Sequence, residues 1–181
     1  MSDKVIQLDS FFHNDVVNLK EHPDSEIREV VKKRKNSTLD FRHLNEPLKS
    51  ELKCFVQYAL TKKISARSKS SDYLTPILHL IDFYKKESKH LSLRFYTEEL
   101  ERKYSFYLQE KGVSALHRTN GKSVHLKIIE RAFLYVNDLY NGNNFFDKDI
   151  WHLDELEIDK SRIVESKNRR TISFSIIPNR Q

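Results

Sequence analysis

The sequence predicts a mainly α fold: a four-helix bundle with short β-hairpin-like lead-in segments. Three observations carry that expectation. Apolar residues recur at steps of three and four through four separate stretches, as helices with one buried face require. The 181 residues hold only three Gly and four Pro, too few for the many turns of an all-β protein. Two of the glycines, Gly112 and Gly142, stand where apolar-periodic stretches end, the usual place of a helix stop.

The lead-in comes first. Asp15–Leu19 reads as extended, and Glu26–Arg34 could form a short helix with Ile27, Val30 and Val31 on one face. Glu46–Lys63 is the clearest helix. Pro47 suits its first position, where the missing N–H has no partner to lose. Leu48, Leu52, Phe55, Val56, Ala59 and Leu60 make its apolar face, with Lys49, Lys53, Gln57 and Lys63 off it. A polar connection over Thr61–Ser71 leads to a second helix, Ser71–Glu87. Ser71 or Asp72 is placed to cap it, Pro76 falls near its first turn, and Leu74, Ile77, Leu78, Ile81 and Tyr84 form a stripe that Leu80 and Phe83 widen. That width predicts the most buried helix of the four. Lys89–Tyr96 has some strand character. Thr97 then caps a third helix, whose Glu98 and Glu99 face the positive end of the helix dipole and whose Leu100, Tyr104, Tyr107 and Leu108 pack inward. A fourth helix spans about Gly121–Tyr140, with Leu126, Ile129, Phe133, Val136 and Tyr140 toward the core.

An internal repeat organises the chain. Ser10–Leu19 matches Asn144–Leu153: Phe11 falls on Phe145, Phe12 on Phe146, Asp15 on Asp149, Val16 on Ile150 and Leu19 on Leu153. Glu21, Arg28, Val30 and Lys33 fall at the same offset on Glu155, Arg162, Val164 and Lys167. With one residue of slip, Leu39-Asp40-Phe41 falls on Ile172-Ser173-Phe174 and Leu44 on Ile177. The second copy reads as strand, turn, strand, which favours a hairpin-like element in both. The expected organisation is a first lead-in over 1–45, a helical domain over 46–142 and a second lead-in over 143–181. That last stretch would open a further helical domain that lies beyond Gln181.

Composition narrows the function. The net charge is +6 and the pI about 9.3, a balance that suits an anionic partner. A single cysteine, Cys54, excludes an internal disulfide and a multi-cysteine zinc site. No apolar run is long enough to span a membrane, and Met1–Gln7 lacks the apolar stretch of a secretion signal, so a cytoplasmic location is expected. Three glycines near helix ends cannot build a phosphate-binding loop, and there is neither a His-Glu-x-x-His motif nor a nucleophile elbow. The eight histidines are scattered. His79, among apolar residues of the second helix, reads as a core histidine. No cofactor or metal is implied, and no catalytic constellation is visible.

Basic residues, in contrast, cluster. Lys32-Lys33-Arg34-Lys35 precedes the first Leu39-Asp40-Phe41 segment, and Lys167-Asn168-Arg169-Arg170 precedes the second. Lys62, Lys63, Arg67 and Lys69 fill the connection after the first long helix, while Arg118 and Lys122 flank the start of the fourth. Asn, Ser and Thr lie between these charges, as on surfaces that contact phosphates.

These residues resemble a family. The helical block opening Pro47-Leu48-Lys49-Ser50-Glu51-Leu52-Lys53-Cys54-Phe55-Val56-Gln57-Tyr58 is similar to the SAM-like core-binding domain of tyrosine recombinases, the phage-integrase superfamily. Ser70–Lys86 and Leu91–Gln109 resemble that domain's second and third helices. Asp149-Ile150-Trp151-His152-Leu153, followed by Thr171–Ile177, resembles the lead-in of integrase-like transposases of bacterial transposons. The resemblance implies a region that clamps double-stranded DNA for integration or recombination. Catalysis in that family needs arginines, a His-x-x-Arg motif and a nucleophilic tyrosine. His90-Leu91-Ser92-Leu93-Arg94 is one residue too long for that motif, so a non-catalytic region is expected. The chain departs from the family layout in having a bundle upstream of the second lead-in. That bundle is either a further DNA-binding domain or one turned to protein contacts.

The expected DNA contacts are Lys62, Lys63, Arg67 and Lys69, with Arg118, Lys122, Lys33 and Arg34. The alternative is a protein–protein module that assembles recombinase protomers through exposed aromatics around Tyr96, Tyr104–Tyr107 and Phe145-Phe146.

Overall fold

The computed structural model describes residues 8–63, 71–87, 92–113, 116–117, 121–122 and 124–140. Five helices dominate: α1 (Ser25–Val31), α2 (Leu48–Lys63), α3 (Ser71–Lys86), α4 (Glu98–Glu110) and α5 (Val124–Tyr140). Short strands β1 (Val16–Asn18) and β2 (Thr38–Asp40) pair antiparallel, with Val17 opposite Leu39. A second small ribbon joins β3 (Leu116–His117) to β4 (Gly121–Lys122). The mainly α expectation stands, and the second lead-in, 143–181, lies outside the described residues.

The first lead-in combines the two readings the sequence offered. Its strands pair as a hairpin would, but α1 occupies the connection. Asp24 starts that helix by accepting a hydrogen bond from the Glu26 amide at 2.8 Å, and Ile27 and Val31 bury its inner face. Phe12, Val17, Leu19, Leu39, Phe41 and Leu44 join the same hydrophobic cluster as the long helices. Most repeated apolar positions of the lead-in are therefore core positions. Val16 is exposed, since the period-2 strand turns it away as Val17 turns in.

Helix ends follow local chemistry. Pro47 immediately precedes α2, and its carbonyl accepts from the Glu51 amide at 3.0 Å. Thr97 caps α4 by accepting from the Leu100 amide at 3.1 Å. Gly112, at φ +72°, closes α4: its amide donates to the Gln109 carbonyl and the Val113 amide to the Leu108 carbonyl. The helix α3 begins at Ser71, as the sequence predicts, and Pro76 lies in its second turn. There it withholds a single bond from a helix that tertiary packing holds in place.

Three further expectations are corrected. Residues 92–97 run as a turn and an irregular stretch leading into Thr97, so the described part of 89–96 holds no strand. The last helix starts at Val124, because Gly121 and Lys122 are spent on β4. And α3 is not the most enclosed helix. On α5 every residue from Ile128 to Asn137 is buried except Glu130, whereas α3 leaves Thr75, Leu78, His79, Asp82 and Lys85 half-buried and Lys86 exposed. These positions fall three or four apart, so they form one open stripe.

The nominally polar side of α2 is also covered. Lys53 is 5% exposed and Glu51 3%. Both Lys49 and Lys53 reach Asp15 of the lead-in at 2.8 Å, and Gln57 accepts from the Asp9 amide at 3.1 Å. Glu51 accepts from the Ser92 hydroxyl at 2.8 Å, the Leu93 amide at 2.6 Å and the Tyr140 hydroxyl at 2.9 Å. Burial pushes the Glu51 carboxyl up, and outweighs the opposing pull of these donors.

Candidate functional site

The open stripe of α3 forms one wall of a cleft of about 440 Å³. The chain from the end of α1 through β2, and Lys111 just past the end of α4, complete the lining. The cleft follows α3 from Thr75 to Lys85, ten residues or about 15 Å at the helical rise. Lead-in and bundle thus meet here across a polar gap.

Arg34 leaves α1 just past its last turn, where its amide donates to the Val31 carbonyl at 2.9 Å. Its Nη2 donates to the Thr75 hydroxyl at 2.6 Å, which fixes the guanidinium against the near end of α3. Asp40, on β2, accepts from Arg42 through Nε and Nη2, each at 3.0 Å, and from Lys85 Nζ at 3.1 Å. The Arg42 pair, helped by Lys85, holds the Asp40 carboxyl well below the usual carboxylate range. Asp82 accepts from the Tyr107 hydroxyl at 2.6 Å and lies 3.5 Å from Lys111 Nζ. Burial pushes Asp82 up, but Tyr107 and the neighbouring lysines outweigh it and keep the carboxyl lowered. Two ammonium groups flank the Tyr107 ring, Lys86 at 5.1 Å and Lys111 at 5.6 Å from its centre.

His79 lines the same cleft, half-buried rather than enclosed in the core. Its ring stacks on His125 of α5 with centres 5.3 Å apart. His79 Nδ1 and His125 Nε2 are buried without a hydrogen-bond partner. Burial lowers both imidazoles, Lys111 lowers His79 further, and His79 helps carry His125 down to about 4. Both rings are neutral at neutral pH. Among the described residues no group of three His, Cys, Asp or Glu side chains could hold a metal ion.

Of the DNA contacts expected from sequence, the structure describes the side-chain surroundings of Lys33 and Arg34. Arg34 lines the cleft and Lys33 is exposed beside it. Lys62 and Lys63 fall in the last turn of α2, and Lys122 falls in β4. Arg67, Lys69 and Arg118 lie outside the described residues. Sequence reasoning missed Arg42, Lys85, Lys86 and Lys111. A signal existed: Lys85 and Lys86 end α3, and Lys111 precedes the glycine that ends α4, where cations offset the helix dipole. That ordinary role conceals a second one until the tertiary fold brings two helix ends to one cleft.

Of the expected aromatic patch, the three described tyrosines are corrected, and Phe145 and Phe146 lie outside the described residues. Tyr96, Tyr104 and Tyr107 are 1%, 0% and 5% exposed. Tyr96 donates to Glu101 and Tyr107 to Asp82, so each phenol is anchored inward. Among the described residues, the exposed large hydrophobics are Phe106 and Val16.

Comparison with known proteins adds no relative: no family model matches the chain, and no curated protein or solved structure matches it.

Proposed function

We propose that this chain is a non-catalytic DNA-binding region of a site-specific tyrosine recombinase or integrase, acting in the cytoplasm to clamp duplex DNA for recombination or transposition. The observation that supports it is the concentration of cations about the α3 cleft. Lys33 and Lys35 are exposed on either side of Arg34, and Arg42, Lys85, Lys86 and Lys111 border the same wall or its ends. A strip about 15 Å long matches roughly four base steps of 3.4 Å along one strand. The residue types suit phosphate contact without base reading, because Lys, Arg, Thr and Asn serve that purpose. Among the described residues no helix is long and apolar enough to cross a membrane.

The test is fluorescence anisotropy with a generic duplex of about two helical turns over a salt series. Affinity should fall steeply with salt, and Lys33→Glu with Lys35→Glu should weaken binding at least about tenfold by removing roughly two phosphate contacts. Charge reversal at Lys62, Lys63, Arg67 and Lys69 measures the contribution of the connection after α2. A flat salt response overturns the reading.

One observation favours protomer assembly as the second reading. Phe106 is 66% exposed on α4, between Glu110 and Arg102 at helical spacing. If it anchors a contact with another recombinase protomer, Phe106→Ser shifts self-association in sedimentation and leaves duplex affinity unchanged.

A further inference from the structure

The outer face of α4 carries two charges that no described residue answers. The inner face of this helix is buried through Leu100, Tyr104, Tyr107 and Leu108. Phe106 lies on the opposite side and is 66% exposed; the other exposed large hydrophobic among the described residues, Val16, belongs to the lead-in. Arg102 and Glu110 stand four residues before and four after Phe106, so the three side chains form one row along the helix. Both charged residues are exposed, and among the described residues neither has an ion pair or a side-chain hydrogen bond. They do not reach each other, because eight residues of helix hold them about 12 Å apart. Their neighbour Lys103 differs, since it lies 3.6 Å from both Glu87 and Glu99. Glu110 is also the last residue of α4, where the negative end of the helix dipole disfavours a carboxylate. Its own helix therefore gives it nothing in return for that position.

We infer that the outer face of α4 is a dimerisation surface that takes α4 of a second copy of this chain, antiparallel, with Phe106 on the two-fold axis. The inference rests on the protomer-assembly reading of Phe106 and supplies its partner and geometry; it does not depend on the DNA reading. In an antiparallel two-fold contact centred on Phe106, each residue meets the one equally far on the other side of it. Arg102 of one copy then faces Glu110 of the other, twice by symmetry, and Lys103 faces the amide of Gln109. At the centre the two Phe106 rings remove each other from water. Charge decides the direction. A parallel pair sets Arg102 against Arg102 and Glu110 against Glu110, and like charges so opposed repel. Charge also decides the occupant, because opposite signs at equal distances from one central residue are what a surface needs to complement itself. The contact is a single helix of 13 residues, about 20 Å long, which places it at the small end for protein interfaces. Dissociation at about micromolar concentrations or above follows from that size.

The experiment is sedimentation equilibrium of the full chain without DNA, from about 10 μM to about 1 mM at roughly 0.15 M salt. The parent chain should show a monomer–dimer equilibrium with no higher species, since a two-fold contact closes on itself. Phe106→Ser should weaken the dimer at least about thirtyfold, as loss of a central aromatic does. Arg102→Glu sets two carboxylates against each other on both sides of the axis and should weaken the dimer about tenfold, and Glu110→Arg should do the same with two guanidinium groups. The double variant Arg102→Glu with Glu110→Arg restores both pairs and should return the dimer to within about threefold of the parent. Mixing the two single variants should give a mixed dimer tighter than either forms alone. All three positions are exposed, so each variant should keep the circular dichroism of the parent. Lys33→Glu, the same change in net charge away from α4, should leave self-association unchanged. A dimer lost in Phe106→Ser but indifferent to the charge reversals keeps assembly through Phe106 and overturns the antiparallel pairing. Weakening by the single reversals without recovery in the double variant overturns that pairing too. Self-association unchanged by Phe106→Ser overturns the assembly reading itself. A chain that stays monomeric at about 1 mM overturns both, and a urea midpoint then lowered by Phe106→Ser identifies another part of the same chain as what covers the face.

Discussion

Among the described residues, two contacts between lead-in and bundle are each built around one aspartate facing helix cations. Against α2, Asp15 takes Lys49 and Lys53 at 2.8 Å each, and the lysine side chains are 21% and 6% exposed. Against α3, Asp40 takes Lys85 at 3.1 Å, but its closest partner is Arg42, its own neighbour on the chain and 60% exposed. The first contact is closed: the Phe41 amide donates to the Asp15 carbonyl at 2.7 Å, and Lys53 lies 5.7 Å from the Phe41 ring. The second opens onto the cleft. The same pairing of charges thus serves as a fastening where one of its cations, Lys53, is buried, and as a cleft wall where one of its cations, Arg42, is exposed. The internal repeat draws the same distinction, since Asp15 recurs as Asp149 while Asp40 is replaced by Ser173.

The largest expected effect breaks the closed contact. Asp15→Ala leaves Lys53 buried beside the His13 carbonyl at 3.4 Å without a counter-charge. Removing one partner of a buried pair costs about 3–5 kcal/mol, and the partial exposure of Asp15 brings the expectation to about 2–3 kcal/mol. Urea denaturation measures it. Asp40→Ala should cost less than about 1 kcal/mol, because its arginine partner is solvated. Equal losses for the two variants would erase the distinction between the contacts. The pH dependence sharpens it. The Asp15 carboxyl is lowered from 3.8 to about 2, first through its hydrogen bond to Lys49 and then through that to Lys53. Its contribution is complete above 3.8 and lost as the pH falls toward 2, and Asp15→Asn should remove that part of the acid transition.

Much of this was legible in the sequence, but unevenly. The four long helices were, because Leu48, Leu52, Phe55 and their counterparts keep the helical period, and Thr97 and Gly112 mark the ends of α4. The closed contact was half legible. The repeat singles out Phe12, Asp15, Leu19 and Phe41, but helical periodicity assigns Lys49 and Lys53 to solvent. A lysine buries its stem as readily as an apolar residue once its ammonium finds a carboxylate, and that carboxylate lies more than thirty residues away. The cleft was hardly legible at all. Arg34 was expected to contact phosphate, but Lys85 and Lys111 belong to the ends of two different helices. Nothing local shows that the lead-in crosses between them.

An intermediate effect separates the cleft from the core behind it. His125 stacks on His79, and its imidazole is lowered by burial and then by His79 to about 4. Burial and then Lys111 lower His79 as well, against the opposing influence of Asp82. A histidine held neutral in the fold and charged when unfolded stabilises fully above the unfolded value of about 6.5, and that stability is lost as the pH falls toward 4. A tenfold difference in proton affinity between the folded and unfolded chain is worth about 1.4 kcal/mol. Discounted for partial exposure, the pair should account for about 1–3 kcal/mol across that window. His125→Phe keeps the stack, removes an unpartnered buried nitrogen and should flatten the stability profile between pH 6.5 and 4. A profile unchanged by that substitution would move the acid sensitivity elsewhere, to the carboxylates that titrate below it.

The smallest expected effect is the most direct probe of the open contact. Arg42→Ala removes a bidentate partner of Asp40 but leaves Lys85 at 3.1 Å. Because the guanidinium is 60% exposed, stability should change by about 0.5 kcal/mol or less. Asp40 then relies on Lys85 alone for its ion pair across to α3. The same substitution should leave the closed contact untouched, so its urea midpoint should track that of the parent chain. A large loss of stability from Arg42→Ala would mean that Asp40, like Asp15, fastens the lead-in to the bundle, and the two contacts would be one kind of joint rather than two.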